Sequence, residues 1–402
     1  MPIIDNWFEI EGSVLKKYYG AGKFYYDDDG TPIWYDGPEN VIIPRGVTEI
    51  GWGAFQGCNY LESVIIPDGV NKIGSMAFRG CEKLEEISIP ESVESIEGEA
   101  FYYCTSLRNI TFPERLKYIG RDAFEKTAWL DNYDCDMVWI SGMLYRYKGS
   151  GKEFEFANHV NKICEYAFSE CKTLEKVFFQ GWLDEIPAGA FSGCENLKEI
   201  KFNSDTQIIG NRAFENCKSL EKFEMPWKVT LIEEYAFYNC EKLKHIRLSD
   251  ELKTIEKYAF QGCKNLIEIE LPRELKEIGE FVFSKCEALK GLTIPDSVKS
   301  IGSGLCSGCS SLVRLTLPET LSGEIGRIIS KCEMLERIIV TDQIVRNNSF
   351  ESIPKGCEII RCSRRCSQCD ETCMSFMGMP IEEVEYDYEP INPRDIDVDY
   401  DF

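Results

Sequence analysis

The cysteines near the end of the chain are the residues best suited to chemistry. Cys362, Cys366, Cys369 and Cys373 form the C-x3-C-x2-C-x3-C pattern of CSRRCSQCDETC. Such thiolates are ligands for zinc, and Cys366 with Cys369 could instead carry redox or disulfide chemistry. The same spacing, continued to Met377, also places all five side chains on one stripe of an α-helix.

A helix would separate these four thiols too widely for a single metal ion. At 1.5 Å per residue they extend over ~16 Å, whereas each zinc–sulfur bond is only about 2.3 Å long. We therefore predict a Cys-rich helical C-cap over residues 362–380 that holds no metal. A metal or redox module at the same cysteines stays open as an alternative.

Other signatures of catalysis are missing from the sequence. The two histidines, His159 and His245, lie far apart, and neither G-x-S-x-G nor H-E-x-x-H occurs. The stretch GSGK at Gly149–Lys152 lacks the upstream glycine of a phosphate-binding loop, because Arg146 occupies that position. We expect neither an enzyme nor a cofactor.

Most of the chain repeats one motif every 23 residues, and cysteine marks the period. A period of this length is typical of stacked repeats. The unit reads L-x-x-I-x-I-P-x-x-V-x-x-I-G-x-x-A-F-x-x-C-x-x. Its cysteines are Cys58, Cys81, Cys104, Cys171, Cys194, Cys217, Cys240, Cys263, Cys286, Cys309 and Cys332.

Each part of the unit predicts a local structure. The alternation around Val64 and Ile66 is typical of a half-buried strand, and Pro67 ends the strand because it cannot donate to the ladder. In V-x-x-I-G the chain turns a corner, for which Gly74 is expected to supply backbone freedom. The A-F-x-x-C segment favours a short helical or 3-10 turn.

Stacking is required because one unit buries too little apolar surface to fold alone. Ladders of Leu, Ile, Val, Phe and Cys then form one continuous interior. Eleven of the nineteen cysteines belong to this ladder. We expect them to be reduced thiols packed as small hydrophobes, since parallel side chains on neighbouring repeats do not face each other.

The complete unit resembles the BspA-like class of leucine-rich-repeat proteins over residues 41–361. That resemblance implies a leucine-rich-repeat solenoid of about thirteen repeats. It implies a curved parallel β-sheet on the concave face and short helical or 3-10 turns on the convex side. It also implies a non-enzymatic module for adhesion or protein–protein interaction, frequently at cell surfaces.

Departures from the period divide the chain into six segments. These are an N-terminal cap (1–40), a first repeat block (41–126), an irregular long repeat with a β-hairpin (127–156), a second repeat block (157–361), the helical C-cap (362–380) and an acidic disordered tail (381–402). In the hairpin near residues 137–147, Trp139, Tyr145 and Tyr147 either stay partly exposed as contact residues or pack over the neighbouring repeat.

The overall charge restricts the classes of partner. A net charge of −23 argues against direct nucleic-acid binding and disfavours anionic membranes. No apolar run approaches the ~18 residues that span a bilayer, and MPIIDNWFEIEG has no secretory-signal pattern. We expect a cytoplasmic monomer. The alternative is a cell-surface or secreted adhesin or antigen whose leader was removed.

Binding is predicted on the concave face of the second block. Cations recur there beside one aromatic residue, and an acidic protein or an acidic glycan would fit them, unless these side chains only solvate the sheet. The predicted contact residues are Lys176, Phe178, Lys198, Lys201, Lys222, Lys244, His245 and Arg247. A second predicted docking element is the end of the tail, Tyr400, Asp401 and Phe402, or strand addition by the tail.

Overall fold

The computed structural model describes residues 7–20, 23–26, 32–35, 39–156, 162–202, 205–319, 321, 327–340, 353–354 and 356–361. Over these residues the repeats stack into a leucine-rich-repeat solenoid with parallel sheets, as predicted. Each repeat is one rung. Equivalent residues 23 positions apart lie side by side, as Val41 does with Val64 and Val177 with Ile200.

The predicted L-x-x-I-x-I strands form the longer strand column. In the first block they are Asn40–Ile42, Ser63–Ile65, Glu86–Ser88 and Asn109–Thr111. In the second block they are Glu153–Phe156, Lys176–Phe179, Glu199–Phe202, Lys222–Glu224, His245–Arg247, Gly291–Thr293, Arg314–Thr316, Arg337–Val340 and Glu358–Arg361. Around Ile269 the side chain keeps its buried place, but the backbone forms no strand.

A second strand column was not anticipated. The residues of the I-G corner pair from rung to rung as two-residue parallel strands, so that Ile50, Ile73 and Ile96 lie in line. These strands are Glu49–Ile50, Lys72–Ile73, Ser95–Ile96, Tyr118–Ile119, Glu185–Ile186, Ile208–Ile209, Leu231–Ile232, Thr254–Ile255, Glu277–Ile278 and Ser300–Ile301. The core is therefore enclosed by sheet on two sides.

The N-terminal residues cover the first rung. Strands Phe8–Glu11 and Val14–Tyr18 pair antiparallel, and the second of them continues the short column beside Glu49–Ile50. The Tyr18 ring stacks on Phe55 with centroids 5.0 Å apart, so the open end of the apolar core receives a lid of aromatic residues. A further antiparallel pair joins Lys23–Tyr26 and Pro32–Tyr35.

The period breaks where Thr127 replaces the ladder cysteine. Its buried hydroxyl donates to the Phe124 carbonyl at 2.7 Å and caps the short helix Ala128–Asp131. The strands Met137–Ile140 and Met143–Tyr147 then form a hairpin. Tyr145 is 3% exposed and Tyr147 6%, so the exposed-contact interpretation is wrong for both; Trp139 is half-buried.

The hairpin tyrosines are held inside by the repeat geometry. The Tyr145 hydroxyl accepts the Phe124 N–H at 2.9 Å, which puts its ring against the last phenylalanine of the first block. Tyr147 stacks on Phe168 at 5.3 Å, the first phenylalanine of the second block. The hairpin thus lies between two apolar clusters: Tyr145 belongs to the cluster of the first block and Tyr147 to that of the second block.

The A-F-x-x-C segments are turns rather than helices. Cys217 N–H donates to the Phe214 carbonyl at 3.1 Å, the i+3 to i bond of a 3-10 turn. The turn cannot continue because Arg212 and Asn216 have left-handed φ values of 56° and 59°. Residues with side chains occupy these left-handed positions in many rungs, among them Met76, Glu99, Tyr103, Asp122, Lys126, Tyr166, Glu170, Tyr235, Asn239, Tyr258, Phe281, Lys285 and Lys331.

The glycines of the I-G corner do not act as predicted. They were expected to supply backbone freedom, but none of Gly74, Gly210 and Gly302 has a left-handed φ. Instead, a Cβ at Gly74 would lie 2.7 Å from the Ile50 carbonyl oxygen. Glycine is needed at these rungs because neighbouring backbones touch there.

The interior consists of stacked phenylalanines and thiols. Neighbouring rings lie nearly parallel, with 5.1 Å between Phe214 and Phe237 at 15°. The predicted burial of the ladder cysteines is confirmed. Most of their thiols donate to a phenylalanine carbonyl of the rung before, as Cys217 does to Phe191 at 3.2 Å. Burial raises the pKa of Cys217, so the thiol stays protonated as a donor.

Several predicted features lie outside the described residues. These are the C-cap with Cys362, Cys366, Cys369 and Cys373, the tail with Tyr400, Asp401 and Phe402, and His159. Within the described ranges no group of three or more His, Cys, Asp or Glu side chains could hold a metal ion.

Candidate interaction surface

The outward side chains of the longer strands in the second block form one continuous surface, which we call the strand face. Strand alternation turns Val177 and Ile200 inward, so that Lys176, Phe178 and Lys201 point out. All eight predicted contact residues lie on this face. Its columns, taken rung by rung, contain Lys152, Glu175, Lys198, Glu221 and Lys244; Glu153, Lys176, Glu199, Lys222, His245 and Glu268; and Glu155, Phe178, Lys201, Glu224, Arg247 and Glu270.

Carboxylates alternate with the predicted cations along most of these columns, with exceptions where Lys222 is followed by His245 and where Phe178 replaces a charged residue. Lys176 pairs with Glu153 at 2.9 Å, and Lys201 with Glu199 at 3.1 Å. His245 Nδ1 lies 4.0 Å from Glu268. Over the rungs from Lys152 to Glu270, seven cations face eight carboxylates, so this part of the strand face carries about one negative charge with histidine neutral. The surface is charge-balanced within an acidic molecule, and contact with a partner stays a prediction.

Two of the predicted cations keep their charge unmatched. Lys222 and Arg247 are exposed, and within the described part of the chain no carboxylate lies within 4.0 Å of either. By contrast Lys198 and Lys244 pair with Glu175 and Glu221. Lys222 and Arg247 are therefore the points on the strand face where an added acidic group would gain most.

The predicted aromatic residue lies among these charges. Phe178 is half-buried, and Lys201 Nζ lies 5.8 Å from the centre of its ring. This is a cation–π contact at an exposed site, where such contacts contribute about 0.5–1 kcal/mol. The strand face thus presents the apolar ring of Phe178 with the ammonium group of Lys201 above it.

Two exposed tryptophans border the strand face, and sequence reasoning missed both. Trp182 is 64% exposed and Trp227 60%. They lie in the turns that follow two of the longer strands, where the repeat at 58–81 has Gly69 and Asp68. The available signal was a tryptophan in a turn otherwise filled by small or polar residues. We call Trp182 and Trp227 the tryptophan rim.

The rim carries its own charged contacts. Lys228 Nζ lies 4.6 Å from the centre of the Trp227 ring and 2.6 Å from Asp205. Asp205 occupies the position of Trp182 one rung later. Tryptophan is among the residue types most enriched in the hot spots of protein–protein interfaces, where a few side chains contribute most of the binding energy.

Glu175 is the best-matched charge of the strand face. It accepts from Lys198 at 2.5 Å and from Lys152 at 2.9 Å. The hydrogen bond from Lys198, followed by that from Lys152, lowers the pKa of the Glu175 carboxyl to about 2. The same contact raises the pKa of Lys152. Three rungs are linked across the sheet by this one carboxylate.

This arrangement predicts an acid-dependent loss of stability. Because the folded-state pKa is depressed, the stabilisation is present above the unfolded value of about 4.5 and lost as pH falls toward about 2. Glu175→Gln should therefore lower the melting temperature at neutral pH, and the gap to the wild type should close through that window. Melting curves from neutral pH to about pH 2 measure it. Glu221→Gln, whose lysine lies 3.9 Å away, should change the melting temperature less; equal effects of the two variants would contradict the prediction.

The family model for BspA type leucine rich repeat regions matches residues 35–136, 140–251 and 230–356. The chain belongs to this BspA-type leucine-rich-repeat family. The predicted resemblance is therefore confirmed, and it covers both repeat blocks and the irregular repeat between them.

Solved structures similar to this BspA-type protein come from several bacteria. A leucine-rich repeat protein from Bacteroides ovatus is 25% identical, with 85% of this chain and 98% of that chain covered and a TM-score of 0.35. A leucine rich cell surface protein from Faecalibacterium prausnitzii is 23% identical, with coverage of 85% and 94% and a TM-score of 0.38. The pneumococcal vaccine antigen PcpA is 21% identical, with coverage of 84% and 77% and a TM-score of 0.41.

Two further findings concern the BspA-type chain. A comparison with curated proteins found no match. Among the helices in the described ranges, none has the length and apolar character needed to cross a membrane.

Proposed function

We propose that this protein is a non-enzymatic interaction scaffold that binds a protein partner through the strand face and the tryptophan rim. BspA-type leucine-rich repeats support a protein-interaction or adhesin role. The observation that carries the proposal is that the exposed Trp182 and Trp227 border the same strand face that holds the unmatched charges of Lys222 and Arg247. Tryptophan and arginine are the residue types most enriched in interface hot spots.

The proposed partner presents acidic groups beside an apolar surface. Its carboxylates, or those of an acidic glycan, would pair with Lys222 and Arg247, while its apolar side chains would cover Phe178 and the tryptophan rim. The other predicted contact residues already have carboxylate neighbours, so they would add little to the affinity. They would mainly fix how the partner is aligned on the strand face. These residues are Lys176, Lys198, Lys201, Lys244 and His245. The long-range field of the acidic molecule would repel such a partner until it reached this balanced face.

Charge reversal at two positions tests this proposal. Lys222→Glu with Arg247→Glu should reduce partner capture from native cells by at least about tenfold. The matched control is Lys83→Glu with Lys242→Glu, which adds the same charge at exposed positions away from the strand face. Quantitative mass spectrometry of the captured proteins is the readout. Unchanged capture by the Lys222/Arg247 variant, or equal loss in the control, would remove the proposal.

A second candidate is a surface adhesin of the BspA type. The family match favours it, and it would use the same surface against a host or neighbouring cell. Labelling of intact cells against permeabilised cells distinguishes an exposed adhesin from a cytoplasmic scaffold. Docking by the acidic tail, and metal or redox chemistry at Cys362–Cys373, remain predictions about residues beyond the described ranges; metal analysis of purified protein tests the latter.

A further inference from the structure

The first block exposes two aliphatic side chains on its own strand face. Ile42 is 68% exposed and Ile65 58%, and strand pairing sets them directly side by side. At the same position other rungs carry Ser88, Thr111, Thr293 and Thr316, or the charged residues of the second block; the apolar residues Phe178 and Ile339 also occur there, but both are half-buried. The sheet therefore tolerates hydroxyl and charged side chains here, and folding does not call for isoleucine.

A second column on the same face, one column removed from the isoleucines, lacks the charge alternation seen in the second block. In the second block this column alternates as Lys152, Glu175, Lys198, Glu221 and Lys244. In the first block it reads Glu39, Glu62 and Glu85, joined by backbone bonds from Glu62 N–H to Glu39 O at 2.7 Å and from Glu85 N–H to Glu62 O at 3.3 Å. Like charges directly opposite on neighbouring strands destabilise a sheet.

Only one end of this acidic column is compensated. Arg108 lies 4.0 Å from Glu85. Glu39 and Glu62 are exposed, and the structure places no cation within 4.0 Å of either among the residues it describes. Both departures from the repeat pattern, exposed isoleucine and unmatched glutamate, thus occur on the same two rungs.

We infer that the sheet face formed by Ile42 and Ile65 docks an extended basic segment of a partner protein, whose lysine or arginine side chains meet Glu39 and Glu62. An extended chain alternates its side chains, so aliphatic residues can cover the isoleucines while cations on flexible stems reach the glutamates. This surface lies in the first block, so the inference is independent of the function proposed for the second block.

Charge favours a basic partner segment at this site over the C-terminal segment of this chain and over a second copy of the chain. The segment 362–402 of this chain carries eleven acidic residues against three arginines. A second copy of the chain carries a net charge of −23. Glu39 and Glu62 would repel both, whereas a basic segment relieves the like-charge contact that the fold leaves unrelieved.

The test uses a synthetic probe and the full-length protein. Fluorescence anisotropy should show binding of a labelled peptide of about ten residues that alternates lysine and valine. Peptides alternating glutamate with valine, or lysine with serine, should bind at least about tenfold more weakly. Failure of the lysine–valine peptide to bind, or equal binding of the lysine–serine peptide, overturns the inference.

Variants locate the site. Ile42→Thr with Ile65→Thr introduces the residue that Thr111 and Thr293 already place in this column, and should weaken binding at least about tenfold. Glu82→Gln with Glu333→Gln removes two exposed carboxylates from turns that precede the longer strands and should leave binding unchanged. Undiminished binding by the isoleucine variant, or an equal loss in the Glu82/Glu333 variant, refutes the assignment.

One further substitution separates binding from stability. Glu62→Lys restores the alternation Glu39, Lys, Glu85 seen in the second block, so the melting temperature should rise while peptide binding falls. If Glu39, Glu62 and Glu85 had only a structural role, Glu62→Lys would raise the melting temperature and leave peptide binding unchanged. That result would also overturn the inference.

Discussion

Replacing Phe237 by alanine is expected to remove about 4 kcal/mol from the free energy of unfolding of the second block. The ring is fully buried between Phe214 and Phe260, with centroid distances of 5.1 Å and 5.2 Å. Phe223 adds an edge contact at 4.9 Å. Neighbouring rungs are held by backbone bonds and cannot collapse into the space, so the cavity adds to the lost apolar burial.

The damage should remain near the substitution, because each rung contacts only its neighbours. Hydrogen exchange followed by mass spectrometry should show amides between Phe214 and Phe260 exchanging up to about a thousandfold faster, with the first block unchanged. Phe178→Ala is the matched control, since it removes the same ring from the half-buried strand face. It should cost less than about 1 kcal/mol. Similar exchange in the two variants would show that the ladder is not the source of stability.

The inward half of each rung was predictable because its chemistry barely varies. A residue that contacts its own equivalent 23 positions away must match it in size, so Phe and Cys recur and mark the period. That is why the longer strands and the buried thiols lie where the pattern predicted them. The short strand column was missed because two residues of a corner carry no alternation by which to recognise a strand.

The outward half was predictable only in part. The pattern placed all eight contact residues on one face, but the prediction counted the recurring cations there and left out the carboxylates between them. Carboxylates such as Glu153 and Glu199 alternate with those cations because unlike charges on neighbouring strands attract. Exposed positions such as Trp182 have no neighbour to match, so the repeat carries no information about them.

The left-handed turn positions show the same limit. At Arg212 and Tyr235 the backbone takes φ values of 56° and 58°, which a sequence pattern associates with glycine or asparagine. Hydrogen bonds to the next rung hold the backbone in this conformation. Arg212 N–H, for example, donates to the Glu234 carbonyl at 2.9 Å. Tertiary bonding therefore overrides the local preference, and no single repeat reveals it.

Gly302→Ala is expected to cost about 3 kcal/mol, for a reason opposite to the one its sequence context suggests. A Cβ there would lie 2.3 Å from the Glu280 backbone nitrogen and 2.4 Å from the Gly279 carbonyl carbon. Neither atom can move alone, since Gly302 N–H bonds the Ile278 carbonyl at 2.8 Å and holds the two rungs together. The methyl group must part the rungs or break that bond.

Gly291→Ala is the matched control for this substitution. Its Cβ would meet nothing closer than the Arg314 carbonyl oxygen at 3.8 Å, so its stability should change by no more than about 1 kcal/mol, in the stabilising direction if at all. Chemical denaturation monitored alongside hydrogen exchange measures both variants. Glu233 and Glu256 occupy the corner position in their own rungs and keep the corresponding backbone bonds at 2.9 Å and 2.8 Å. If Gly302→Ala matches Gly291→Ala, the rungs at Gly302 can adopt the backbone found at those glutamates, and close contact is not what selects glycine.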